Sequence, residues 1–246
     1  MASMFVSFYR IVISRILVLI VLITPGVAQA DLQAAFKAYD AEDYETAAKL
    51  LPRYAEQGHT EAIYRLAWLY SNGQGVEQDQ DKAFHLFNQA AQMGHIIAAF
   101  SVGIYYDFGE GNVKKNLKKA FEMYMIAAQA GFSRAEFNIG NMLINGHGVA
   151  KDLSTGMRWL TTAARRGDRD ALGLLGSLHY QRKAPNSERT SAWMFLDLAS
   201  RLGKAPATVL LNLLKQQMTT EQVAEAKRLQ AEWLRDATFI PPPRER

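Results

Sequence analysis

The sequence predicts an all-α solenoid of about five helix–turn–helix repeats closed by a C-terminal capping helix. Three observations in one register predict it. A glycine ending a helical stretch recurs at Gly58, Gly94, Gly131, Gly167 and Gly203, at steps of 36, 37, 36 and 36 residues. Glycine loops recur in phase as Gly73-Gln74-Gly75-Val76, Gly109-Glu110-Gly111 with Val113, and Gly146-His147-Gly148-Val149. Paired alanines precede three of the closing glycines: Ala90-Ala91, Ala127-Ala128 and Ala163-Ala164. A fixed period of this length marks stacked supersecondary units. The one step of 37 traces to Asn112, inserted between Gly111 and Val113.

In chain order, residues 1–30 carry no acidic residue, two arginines (Arg10, Arg15), an apolar run from Ile16 to Ile23, breakers at Pro25 and Gly26, and Ala28-Gln29-Ala30. That pattern predicts a signal peptide cut after Ala30. The alternative is an uncleaved anchor, for which the run falls short of the ~20 apolar residues a span needs. The predicted location is periplasmic or secreted. Residues 31–240 form the predicted solenoid, with units near 31–59, 60–95, 96–132, 133–168 and 169–204, a cap at 205–238 and a tail at 241–246.

Each unit reads as two helices. The first carries Ala-x-x-x-(Leu/Val/Ile)-(Gly/Ala), as in Ala62/Leu66/Ala67, Ala98/Val102/Gly103, Ala135/Ile139/Gly140 and Ala171/Leu175/Gly176. An apolar i, i+4 pair beside a tiny residue marks a helix packed closely on a neighbour. The Gly-x-Gly loop turns the chain, and Asp79, Asn116 or Asp152 caps the next helix. That second helix places Ala83/Ala90, Ala120/Ala127 and Ala192/Ala199 seven apart, with Phe87, Tyr124, Trp159 and Trp193 between. After residue 215, Thr219-x-x-Gln222 is a capping-box signature ahead of the stripe Val223, Ala226, Leu229 and Trp233. Pro241-Pro242-Pro243 ends regular structure.

The Ala-x-x-x-Leu-Gly-x-x-Tyr, Gly-x-Gly-Val-x-x-Asp-x-x-Lys-Ala and Ala-Ala-x-x-Gly strings resemble Sel-one-like repeats, a longer relative of tetratricopeptide repeats. The clearest copies run 60–95, 96–132 and 133–168. The first unit lacks the Gly-x-Gly loop and resembles a tetratricopeptide hairpin around Asp40–Tyr44. The fifth replaces the loop with Lys183-Ala184-Pro185-Asn186. The resemblance implies a right-handed superhelix that binds other proteins, with exported bacterial relatives acting in envelope assembly, polysaccharide export, motility or signalling.

Composition narrows the chemistry. The chain has 246 residues, 49% hydrophobic and 21% charged, which suits a folded protein with a sizeable core. Zero cysteine excludes disulfides, thiolate metal sites, a cysteine nucleophile and lipoprotein attachment. No H-E-x-x-H, G-x-S-x-G, Walker or Ser-x-x-Lys motif occurs, so no catalytic residue, cofactor or metal is predicted. The acidic pairs Asp79/Asp81 and Asp168/Asp170 read as capping residues rather than calcium ligands. His59 and His95, 36 apart, read as helix C-terminal residues favourable to the dipole.

Helical geometry predicts a binding face. At about 100° per residue, offsets +2 and +6 from the first-helix alanine point away from its packed side, toward the concave groove of a solenoid. They are Tyr64, Phe100, Phe137 and Gly173, then Trp68, Ile104, Asn141 and Ser177. Tyr64, Trp68, Phe100, Ile104, Phe137 and Asn141 are the predicted partner-contacting residues; burial against the neighbouring first helix is the competing reading. Charge is graded as well. Residues 31–62 carry 3 basic and 7 acidic side chains, and residues 151–204 carry 10 and 5. The basic segment suits an acidic protein or an anionic glycan, or is simply a solvated face. Nucleic acid is not expected. The predicted function is a non-enzymatic scaffold, adaptor or regulator binding a protein partner. A polysaccharide-binding module using Tyr64, Trp68 and Phe100 is the alternative, and a hydrolase a third.

Overall fold

The computed structural model describes residues 25–183 and 188–236. The predicted leader before residue 25, the 184–187 part of the fifth loop and the tail lie outside the described residues. The described chain is an all-α repeat solenoid of twelve helices. It divides into two compact units. In the first, up to Gln78, run α1 (Pro25–Asp40), α2 (Tyr44–Glu56) and α3 (Thr60–Asn72). In the second, from Asp79, run α4 (Gln80–Gln92), α5 (Ile96–Phe108), α6 (Leu117–Gln129), α7 (Ser133–Asn145), α8 (Leu153–Arg165), α9 (Arg169–Tyr180), α10 (Arg189–Arg201), α11 (Ala205–Lys215) and α12 (Thr220–Asp236).

The helix ends follow from the repeated residues. Asp79, Asn116 and Asp152 accept hydrogen bonds from the backbone N–H groups of Lys82, Lys119 and Thr155 at 2.9, 3.0 and 2.9 Å. Each side chain thereby satisfies a donor that has no partner within the first helical turn. At the other end, the closing glycine takes a left-handed conformation, as at Gly94 (φ 88°). Gly94 N–H donates to Ala91 O at 2.9 Å and His95 N–H to Ala90 O at 3.0 Å. This is the Schellman arrangement, and the paired alanines supply its carbonyls. Ala127-Ala128 and Ala163-Ala164 do the same at the next two ends.

His59 and His95 correct the sequence reading. They follow the closing glycine directly and stand as N-caps of α3 and α5; His95 Nδ1 accepts from Ala98 N–H at 3.1 Å. The two-residue turn makes the end of one helix and the start of the next almost the same place, so a residue read as a stop serves as a start.

Inside the second unit, a first-helix glycine sets the distance between paired helices. A Cβ on Gly140 of α7 would lie 2.9 Å from both Gly156 O and Leu160 of α8. On Gly103 it would lie 2.5 Å from the Tyr124 ring, and on Gly176 2.7 Å from Leu196. Around these contacts Ala120, Ala127, Ala135 and Ile139 are fully buried. A larger core joins α8 to α12, including Leu160, Leu175, Trp193, Leu196, Leu211 and Ala226.

The capping helix α12 packs on α10. Its box is reciprocal: Thr219 N–H donates to Gln222 Oε1 at 3.0 Å, and Gln222 N–H to Thr219 Oγ1 at 3.3 Å. Buried Gln230 donates to Asp197 at 3.0 Å and to the Met194 carbonyl at 3.3 Å, tying cap to core.

In the first unit, Arg65 of α3 clamps α1. It pairs with Asp40 at 2.6 Å and Glu61 at 2.5 Å, donates to the Phe36 carbonyl at 3.2 Å, and lies 4.6 Å above the Phe36 ring.

Gly140→Ala is expected to destabilise the chain by ~1–3 kcal/mol, the usual cost of overpacking a tight core, as read from its urea unfolding midpoint. An unchanged midpoint would contradict the close approach of α7 and α8.

Candidate functional site

The second unit exposes an apolar face along α5. α5 (IIAAFSVGIYYDF) is apolar on nearly every side and has no basic residue in its last turn and no acidic one in its first. Such a helix is ordinarily buried all round. Here Ala98, Ala99, Val102, Gly103 and Tyr105 are buried, while Ile97 is 40% and Phe108 68% exposed. Between them on the same face lie half-buried Phe100 and Ile104. Ile97, Phe100, Ile104 and Phe108 therefore form a four-residue stripe along the whole helix, at the spacing that places side chains above one another.

The predicted partner-contacting residues are all half-buried. Phe100 lies 5.0 Å from Phe132 and 5.4 Å from Tyr124, ring centre to ring centre, so the start of α7 and the middle of α6 cover part of it. Ile104 packs against the same core, and Phe137 of α7 against the core beyond. Asn141 accepts from the Asn145 amide at 2.8 Å. In the first unit, Trp68 lies 5.4 Å from Tyr39 and 5.5 Å from Tyr44, in an aromatic trio. Burial holds the neighbouring Tyr64 phenol above its ordinary titration range. Ile97 and Phe108 are absent from the sequence-based set. Extending the same 100° arithmetic one turn toward each end of α5 finds both.

The equivalent faces of α7 and α9 are more polar, while α11 again exposes an apolar pair, Val209 at 60% and Leu213 at 46%. α7 offers Phe137, Asn141 and Asn145, and α9 offers Gly173, Ser177 and Gln181. Beside Gly173 lies Lys204, paired with Asp170. Several cations of the 151–204 segment have internal contacts of this kind. Arg166 pairs with Glu136 at 3.1 Å and Arg201 with Asp197 at 2.7 Å, and Arg165 lies 4.6 Å above Trp233.

The acidic pairs are engaged too. Asp168 accepts from the backbone of Asp170 at 3.0 Å and Ala171 at 2.8 Å, capping α9. Asp81 receives Asn112 through the backbone N–H, at 2.7 Å, and through the side-chain amide. Among the described residues no group of three or more acidic or histidine side chains is placed to hold a metal ion. No described helix is long and apolar enough to cross a membrane.

Comparison with known proteins agrees with this construction. The Sel1 repeat model matches residues 60–95, 96–132 and 133–168. The chain carries three Sel1 repeats. Such repeats generally mediate protein interactions. The Sel1-repeat chain is 29% identical over 159 residues to an exopolysaccharide production negative regulator of Rhizobium meliloti strain 1021, covering 59% of each chain. It thus spans about three-fifths of that relative's length. Among solved structures it resembles a protective antigen with an SLR fold, present in uropathogenic Escherichia coli strains. The TM-score is 0.71 at 30% identity, over 78% of this chain and 41% of the other. A Sel1 repeat protein from Oxalobacter formigenes shares the fold, with a TM-score of 0.72 at 24% identity, over 89% of this chain and 91% of that one.

Within the third repeat one carboxylate stands out. Glu136 is buried, and its Oε2 has no hydrogen-bond partner. Burial raises its pKa above the usual 4.5, although Arg166 pulls the other way. The folded chain therefore holds this proton more tightly than the unfolded one, and the residue's contribution to stability falls as pH rises from about 4.5 through the folded value. Glu136→Gln is expected to gain stability relative to the parent across that rise, in urea unfolding at a series of pH values. A pH-independent difference between the two proteins would contradict the assignment.

Proposed function

We propose that this chain is a non-enzymatic interaction module of the bacterial cell envelope, exported by cleavage after Ala30, which regulates by holding a protein partner on the α5 face. The observation that carries the reading is the α5 stripe. Folding covers one side of the helix and leaves Ile97 and Phe108 in water, with Phe100 and Ile104 covered only in part. Water-exposed apolar surface of this kind, bordered by polar residues, characterises binding surfaces.

The regulatory part of the proposal draws on the rhizobial relative, whose name describes a negative regulator of exopolysaccharide production. Sequestering or releasing a partner needs no turnover, and the described polar side chains support that economy. Asp79, Asp152 and Asp168 cap helices, while Asp40, Glu61, Asp170 and Asp197 hold ion pairs. The export part rests on the pattern of the first thirty residues: two arginines, an apolar run, then small residues.

Phe108→Ser tests the reading with little risk to the fold, because an exposed substitution changes stability by about 0.5 kcal/mol or less. Combined with Ile97→Ser, it is expected to lower retention of the bound envelope protein at least ~10-fold in pull-downs, the loss of a central apolar anchor. The unfolding midpoint should stay in place. Undiminished retention would contradict the assignment of the face.

A further inference from the structure

The one-residue insertion at Asn112 opens a cleft. At the two regular loops, the second glycine sits directly on the backbone at the start of the preceding repeat's second helix. A Cβ on Gly75 would lie 2.2 Å from Tyr44 O, and on Gly148 2.5 Å from Leu117 C and O. At the longer loop, the nearest helix backbone atom to such a Cβ on Gly111 is Gln80 C, at 3.5 Å. The loop stands about an ångström farther out, propped on the Asp81 carboxylate, which takes both the backbone and the side-chain donor of Asn112. The corresponding position in the next repeat is Lys118, so that junction has no such prop.

Between the propped loop, α4, the end of α5 and the start of α6 lies a cleft of about 410 Å³. That volume falls within the range of small-ligand and side-chain pockets. Its aromatic lining is Phe84 and Tyr106, set edge to face at 5.6 Å. Lys114 and Lys119 also line it, with Lys119 Nζ 5.0 Å above the Tyr106 ring. Asp81 is the sole carboxylate in the lining, and both its oxygens are engaged by Asn112.

We propose that this cleft binds an acidic peptide segment: a carboxylate held between Lys114 and Lys119, with a neighbouring apolar side chain against Phe84 and Tyr106. Two ammonium groups beside an aromatic wall suit a carboxylate flanked by hydrocarbon. A sugar is the poorer match. The Asp81 oxygens that would accept from its hydroxyls are both already engaged by Asn112, which leaves His85 and Asn116 as the other planar polar groups of the lining beside the two ammonium groups. The site is separate from the α5 stripe and is tested separately from it.

The test is fluorescence anisotropy of the full chain with a dye-labelled Glu-Glu-Phe-Glu-Glu peptide. Saturable binding is expected, at least tenfold weaker for Gln-Gln-Phe-Gln-Gln and at least tenfold weaker for the Lys114→Gln/Lys119→Gln double variant. Deleting Asn112 restores the regular loop length, which the two sibling repeats already fold with, and is expected to abolish binding while circular dichroism and the melting curve persist. If that deletion unfolds the chain, the exposed-lysine double variant decides the matter alone. Absence of saturable binding, equal affinity for the glutamine peptide, or affinity unmoved by the lysine variants would overturn the proposal. So would tighter binding of oligogalacturonate than of the acidic peptide. None of these outcomes bears on the α5 face, which the Ile97 and Phe108 variants address.

Discussion

The second unit depends on how closely the two helices of each repeat approach. Gly103, Gly140 and Gly176 leave no room for a methyl group between first and second helix. Close approach brings Tyr124, Leu160 and Leu196 against bare backbone and completes the burial of the alanines around them. Since the chain has no cysteine, packing of this kind holds the repeats together without any disulfide. The caps then follow from the same geometry. Helices this short and this close need abrupt ends, and the left-handed glycine followed at once by the next N-cap provides them.

That arrangement also decides what remains for binding. A first helix in the second unit is gripped on one side by its partner helix and on another by the second helix of the preceding repeat. For α7 and α9 the leftover face is largely polar, and water satisfies it. On α5 the leftover face is apolar from Ile97 to Phe108, and nothing within the described residues satisfies it. α5 differs from α7 and α9 in this, and from α11, which exposes Val209 and Leu213, in that its apolar stripe runs the whole length of the helix. Phe100 shows how the two readings of the aromatic column coexist: Tyr124 and Phe132 take part of the ring, and the remainder stays on the surface.

Much of the repeat architecture is legible in the sequence because it is local. The closing glycines, the Asp79/Asn116/Asp152 caps, the alanine pairs and the Thr219–Gln222 box each act within a few residues of themselves, so their spacing reveals them. Non-local roles leave a fainter trace. Nothing near Arg65 announces that it reaches Asp40 and Phe36, nor does the neighbourhood of Gln230 point to Asp197. The inserted Asn112 is visible as a slip in period, but its hold on Asp81, 31 residues earlier, appears only once the loop is folded. The histidine caps are hidden for a related reason: a two-residue turn gives a side chain two helices to serve, and sequence order favours the one it follows. As for the binding face, Phe100 and Ile104 follow from helical phase, while Phe108 requires the phase to be carried to the last residue of the helix.

The proposed docking surface is the α5 face rather than the polar back of the repeats. Site-specific photo-crosslinking in the living bacterium tests this most directly, with the reactive side chain placed at position 108 in one strain and at exposed Glu122 of α6 in another. One discrete crosslinked protein species is expected from position 108 and none from position 122. Crosslinks from 122 alone, or the same species in equal yield from both, would contradict the α5 assignment.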